Sequence, residues 1–152
     1  MSRKIIHDHM GRTVTFKFPP ERIISLCPSI TETLFALDLS DRIVGRTRYC
    51  IHPAELVKNV KSVGGTKKIK EDVIDELRPD LIIAEKEENP KEAIERLAEK
   101  FPVYVTEIKT YDDGLKMIKD LGEITDQFQF AKDLVKTIEE QFQNLRRTKK
   151  TK

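Results

Sequence analysis

Residues 22–37 read RIISLCPSITETLFAL, and this stretch decides the fold. Its first five residues, Arg22 to Leu26, suit a buried strand, with the β-branched pair Ile23 and Ile24 side by side. Pro28 then marks a helix start, because it needs no backbone donor in a first turn and its φ is already set for helix. Ile30, Leu34 and Leu37 give the segment Ser29–Leu37 one apolar face. A strand that turns directly into a helix opens a βαβ unit and places the connecting loop at the carboxyl edge of a parallel sheet. In open α/β sheets, ligands bind at that edge.

The unit repeats downstream. Ile43–Gly45 reads as a second short strand, Pro53–Val57 as one or two helical turns, and Val60–Val63 as a weak strand before Gly64 and Gly65. A helix over Glu71–Leu77 stops at Arg78, since the residue before Pro79 is pushed out of the α region. Leu81–Ala84 is a continuous apolar run, as expected of a strand covered on both faces. Asn89 is read as an N-cap with Pro90 at the first helical position, ahead of an apolar face made by Ala93, Ile94, Leu97 and Ala98. Val103–Val105 is the next strand. Thr110 and Asp113 have capping-box spacing, with Leu115, Ile118 and Leu121 as the buried face and Gly122 as the stop.

Upstream, Lys4–His9 and Thr13–Phe18 are alternating segments around Met10-Gly11-Arg12, the pattern of a hairpin. His7 and His9 would share a face of a strand and are read as exposed; a metal pair is the alternative, with no third ligand evident. Residues 125–147 differ from the rest. Ala131, Val135, Ile138, Phe142 and Leu145 form one stripe, widened by Phe128 and Leu134, that predicts a single amphipathic helix of roughly 20 residues and ~30 Å. That stripe needs a partner surface, on the sheet or elsewhere.

With 152 residues, 38% hydrophobic and 36% charged, the chain can bury one domain core beneath a solvated exterior. The net charge is +2, but Arg146, Arg147, Lys149, Lys150 and Lys152 supply five positive charges at the end, leaving −3 for the rest. A basic end without aromatics is not the patch a nucleic-acid binder needs, and it reads as a solvated tail. No apolar run approaches the ~18 residues of a membrane helix, so no membrane insertion is expected. The polar start MSRKIIHDHMGR is not a secretory signal, which leaves a processed export signal and a cytoplasmic chain both open. Cys27 and Cys50 fit no metal-ligand spacing; they are read as small buried hydrophobes near strand ends, with a disulfide or reactive thiol as the alternative.

Four segments in series, RIISLCPSITETLFAL, DRIVGRTRYCIHP, VGGTKK and LRPDLIIAEKEEN, resemble the amino-terminal lobe of the periplasmic solute-binding proteins for cobalamin, haem and ferric siderophores. Those proteins are receptors of ABC importers, with two α/β lobes joined by one rigid helix. The resemblance covers roughly Thr13 to the end of the chain. It implies an α/β fold: a three-layer lobe with a mostly parallel sheet, an N-terminal β-hairpin and a long C-terminal backbone helix. Residues 1–122 would be the lobe, 123–147 the backbone helix and 148–152 a basic tail, with the second lobe absent. Because the family holds its ligand between lobes, a lone lobe is expected to bind weakly or not at all.

The resemblance also implies roles. Tyr49 stands where cobalamin receptors place an aromatic, although a half-buried loop tyrosine is the plain alternative. Ser29 lies at the strand-to-helix loop, where a helix N-terminus favours anionic groups; a capping hydroxyl is the alternative. Thr66 stands where cobalamin receptors can carry a large aromatic, so a threonine there weakens the corrin reading. Glu85 and Glu88 follow strand Leu81–Ala84 at the same edge, against the alternative of a solvated acidic loop. Asp72, with Glu71 as its neighbour, matches a surface carboxylate that docks on permease arginines, though acidic residues also suit any first helical turn. The implied partners are a corrinoid or ferric siderophore and an ABC permease, in the periplasm or cell envelope. No catalytic residue, metal site or cofactor is assigned. Two other readings stay open: an interaction domain that dimerises through the long helix, and a chelatase-like metal enzyme domain.

Overall fold

The computed structural model describes residues 2–150. Strands β1 (Arg3–His7) and β2 (Thr13–Lys17) form the expected antiparallel hairpin. Strands β3 (Ile23–Ser25), β4 (Ile43–Arg46), β5 (Lys61–Ser62), β6 (Leu81–Glu85) and β7 (Val103–Thr106) form one sheet in the order β5-β4-β3-β6-β7. Every neighbouring pair in it is parallel. The helices are α1 (Pro28–Ala36), α2 (Ala54–Val57), α3 (Glu71–Leu77), α4 (Lys91–Ala98), α5 (Tyr111–Ile124) and α6 (Phe128–Lys150).

The strand alternation sorts the core into two faces. Ile23, Leu81, Ile83 and Tyr104 pack with Ile30 and Leu34 of α1, Ile118 and Leu121 of α5, and Ala131 and Val135 of α6. Their neighbours in sequence, Ile24, Leu26, Ile82, Ala84, Val103 and Val105, pack with Ile74 of α3 and Ile94 and Leu97 of α4. Adjacent residues of one strand therefore serve opposite faces, as the period of two requires. Strand β6 is buried along its whole length, which explains its unbroken apolar sequence. The result is the three-layer α/β arrangement, with β3 and β6 at its centre. The chain leaves β3 toward β4 and leaves β6 toward β7, in opposite directions along the sheet. The crevice between them is the topological switch point, where such sheets place a ligand.

The N-terminal hairpin closes an edge. The backbone N–H of His9 donates to the Val105 carbonyl (3.1 Å), and the Val105 N–H donates to Asp8 Oδ2 (3.2 Å), so β7 does not present a row of open groups. This corrects the reading of His9 as an exposed residue: its side chain is 8% exposed, whereas His7 is exposed as expected. Asp8, whose carboxylate also accepts from the N–H groups of Met10 and Arg12, was not singled out from sequence.

Helix ends hold two further corrections. Helix α5 begins with the expected capping box, Thr110 and Asp113 each bonding the other's backbone N–H. It does not stop at Gly122 but runs to Ile124, and Gly122 serves packing instead, because a Cβ there would overlap the Cβ of Ala131. The chain reverses at Asp126 (φ 61°), where Gln127 donates to the Leu37 carbonyl and Arg42 to that of Thr125. The long helix consequently starts at Phe128, three residues later than the pattern suggested. Its stripe finds a partner in α5: Ala131 and Val135 are buried, and Phe142 stacks on Tyr111 with centroids 4.4 Å apart. Leu145 lies beyond that partner and is 64% exposed. Of the basic tail, Thr148 to Lys150 continue α6, and residues 151–152 lie outside the described residues.

Candidate ligand-binding edge

Each strand of the central sheet ends in a loop on the same edge, and these loops carry the residues singled out from sequence. After β3, the backbone turns into α1 with Cys27 at the N-cap position and Pro28 at N1. The turn is fixed from inside: Thr31 Oγ1 donates to Ser25 Oγ (2.7 Å), and Ser25 Oγ donates to the Cys27 carbonyl (3.1 Å). Ser29 is exposed on the first turn and its hydroxyl lies 3.4 Å from Cys27 Sγ, so it does not cap the helix. Burial pushes the Cys27 thiol above its ordinary value, hydrogen bonding with Ser29 pulls it back in part, and the charge of Glu88 adds to the rise. The loop after β6 is held beside the loop after β3 by Asn89, whose amide donates to the Leu26 carbonyl (3.0 Å). Both cysteines are buried and free, as read from sequence.

The loop after β4 carries Tyr49 outward. Tyr49 is 57% exposed, and the Arg48 guanidinium lies over its ring at 5.1 Å, with Arg48 Nη2 3.4 Å from the Tyr49 hydroxyl. The Arg48 N–H donates to the Gly64 carbonyl (2.7 Å), and its side chain crosses Gly65, whose missing Cβ would stand 3.1 Å from Nη2. Gly64 itself has φ +99°, which a side chain rarely tolerates. Those two glycines let the loops after β4 and β5 lie against each other. Arg48 was not singled out from sequence, although it adjoins Tyr49 in the same motif.

Thr66, after β5, is buried, and its carbonyl accepts from Asn89 Nδ2 (3.0 Å). The second amide proton of Asn89 goes to the Leu26 carbonyl (3.0 Å), and its Oδ1 accepts from the Glu85 N–H (2.9 Å). Asn89 is thus 2% exposed and turned inward, and Pro90, not Asn89, is the N-cap of α4. Glu85 is 4% exposed. Its Oε2 accepts from the N–H groups of Glu87 (2.7 Å) and Glu88 (3.0 Å), and its Oε1 from that of Ile108 (3.1 Å). Its carboxylate is therefore engaged by the protein, while the Glu88 side chain is exposed.

Ser29 on the first turn of α1 and Tyr49, Thr66 and Glu88 on the loops after β4, β5 and β6 stand along one edge of the sheet, Thr66 buried and the other three exposed. Two concavities of about 660 and 430 Å³ lie elsewhere, along α5–α6 and between the hairpin tip and α4, and neither is lined by any of these four. Of the two carboxylates on α3, Glu71 is held by Arg96 of α4 in a two-pronged pair (2.8 to 3.2 Å). Asp72 is exposed and carries no ion pair among the described residues. No group of three metal-ligating side chains occurs among those residues.

An all-parallel sheet with helices on both faces, its loops gathered at a switch point, defines an open α/β sheet domain of the kind that places ligands at its carboxyl edge. The sequence then gives the family: the Periplasmic binding protein model matches residues 23–151, and the chain belongs to that family, one of binding proteins and not of enzymes. A Vitamin B12-binding protein of Vibrio vulnificus (strain CMCP6) is 32% identical over 139 residues, covering 86% of this chain and 50% of the relative. An uncharacterized ABC transporter substrate-binding lipoprotein, YvrC of Bacillus subtilis (strain 168), is 33% identical over 150 residues, 96% of this chain and 47% of its own length. Among solved structures, the periplasmic vitamin B12 binding protein BtuF of Vibrio cholerae superposes with a TM-score of 0.78 at 30% identity, over 87% of this chain and 52% of that one. The chain spans about half the length of these relatives. No helix among the described residues is long and apolar enough to cross a membrane.

Proposed function

We propose that this chain is the ligand-binding lobe of an ABC importer's receptor, acting in the periplasm or cell envelope on a corrinoid or ferric siderophore. The observation that carries this reading is the convergence of Ser29, Tyr49, Thr66 and Glu88 on one edge beside the switch point. Tyr49 offers an exposed ring face to a flat ligand. Ser29 and Glu88, both exposed, offer polar contacts, and the buried Thr66 contributes through its carbonyl, which accepts from Asn89. Glu85, already engaged by three N–H groups, contributes by shaping the loop and not by touching ligand. Asp72 is the carboxylate offered to permease arginines, and Glu71 is reserved for Arg96. An open shelf makes one wall of a cleft, so binding by this lobe alone is weak, near the millimolar end of the affinity scale.

Titrations with cyanocobalamin, haemin and a ferric siderophore, followed by tyrosine emission, test the reading. One of the corrinoid or siderophore probes is expected to quench with saturation, and Tyr49→Ala to remove the response. Equal quenching in wild type and Tyr49→Ala would set the proposed site aside. A second reading, an interaction domain that pairs through α6, is favoured by the exposure of Phe128, Phe130 and Leu145. Sedimentation equilibrium separates the two, since only the second requires a dimer.

A further inference from the structure

Resting on that reading of the edge, we propose that Asn89 and Glu85 are its positioning residues: a buried clasp of two side chains that fixes four loops in one arrangement before ligand arrives. Asn89 donates to Leu26 in the loop after β3 and to Thr66 in the loop after β5, and accepts from Glu85 at the end of β6. Glu85 accepts from Glu87 and Glu88 in its own loop and from Ile108 in the loop after β7. Six hydrogen bonds from two side chains, both under 5% exposed, thereby join the loops that follow β3, β5, β6 and β7. The fifth loop, which carries Tyr49, is tied in through the Arg48 N–H to Gly64.

The residue types are those the geometry needs. A carboxamide alone can accept at one end and donate twice at the other, so Asn89 matches one N–H and two carbonyls. An aspartate would keep the acceptor and turn an oxygen toward both carbonyls. Glu85 faces three donors, and only a carboxylate is acceptor on both sides; glutamine would aim an NH2 at an N–H. Asn89 holds a group four residues away and Glu85 groups two and three residues away, and both also reach across the sheet edge. The exposed side chains of the edge hang close to what the clasp holds, Glu88 by its own N–H and Ser29 three residues after Leu26, and the clasp also holds the buried Thr66 by its carbonyl. Preorganisation of this kind removes ordering cost from binding.

Residue-resolved amide hydrogen exchange on the whole chain tests the clasp without any ligand. Asn89→Asp is expected to raise exchange about tenfold or more at the hydrogen-bonded N–H groups of Leu26, Thr31, Gly64 and Gly65 while Ile82 and Ile83 in β6 stay within about twofold, because only local opening changes. Glu85→Gln is expected to do the same at Glu87, Glu88 and Ile108, and it is the variant to read if Asn89→Asp does not fold. Uniform acceleration that includes β6 would reduce both residues to general stability and overturn the proposal, as would unchanged exchange in the loops. Wild-type titration with cyanocobalamin and a ferric siderophore keeps the two ideas apart. If loop exchange rises as expected but wild type binds neither probe, the ligand reading fails and the clasp stands; if a probe binds and Asn89→Asp binds it equally well, the clasp has no positioning role.

Discussion

His9 shows how much one side chain can carry. Its Nδ1 accepts from the Glu107 N–H (3.0 Å), so Nε2 bears the proton and donates to Asp120 Oδ2 (2.9 Å), with Tyr104 edge-on to the ring. Burial works to raise the Asp120 carboxyl, but hydrogen bonds from His9 and Lys116 outweigh it and hold the group below the ordinary carboxylate range. A carboxyl depressed in the folded state lends stability that is complete above the ordinary Asp value of about 3.9 and is lost as pH falls through it toward the folded value. Asp120→Asn should therefore flatten the decline in urea midpoint below roughly pH 4.5, and an unchanged acid limb would contradict this. At Cys27, burial keeps the thiol protonated near neutral pH. Iodoacetamide should label native protein slowly and unfolded protein fast; equal rates would show that the thiol is not shielded. None of the His9 contacts was legible in the sequence, because its side-chain partners lie 111 and 98 residues away and strand alternation alone predicts exposure. Asn89 was misread for the same reason. An Asn before Pro is a good local capping signal, and its real partners at Leu26 and Thr66 are 63 and 23 residues distant.

At the scale of elements, local rules sufficed wherever local energies decide. Pro28 opens α1, Arg78 adopts φ 48° before Pro79 and ends α3, and the Thr110–Asp113 box opens α5, each at or within one residue of the place its sequence signals. Thr110→Ala should cost about 1 kcal/mol, read as a lower thermal midpoint. Gly122 was legible as a special position but not as a packing one, since its neighbour Ala131 belongs to the next helix. A methyl at Gly122 gains up to about 1 kcal/mol of helix propensity, while overlap with Ala131 costs about 1–3 kcal/mol. Gly122→Ala should thus be net destabilising in chemical denaturation, and a gain in stability would mean that α5 and α6 have room to separate. Ile83, fully buried at the centre of β6, should cost about 2–5 kcal/mol when cut to alanine.

For the whole molecule, the alternation of strand and helix fixed the layers, and the resemblance of four short segments fixed the family; the order of the sheet puts the switch point between β3 and β6. The roles proposed for the residues there rest on their shared place along that edge and on the likeness to relatives about twice as long. Asp72 belongs to this scale too: Asp72→Ala should weaken association with an ABC permease while costing the fold no more than the ~0.3–1 kcal/mol of one first-turn carboxylate, whereas Glu71→Ala should loosen the contact of α3 with α4. The measurement that bears most directly on function is a chemical-shift titration of the isotope-labelled chain with cyanocobalamin and a ferric siderophore, which detects weak binding residue by residue. Shifts confined to the loops around Ser29, Tyr49, Thr66 and Glu88 are the predicted result. Shifts along α5 and α6 with a silent carboxyl edge, or no shift with either probe at millimolar concentration, would contradict it.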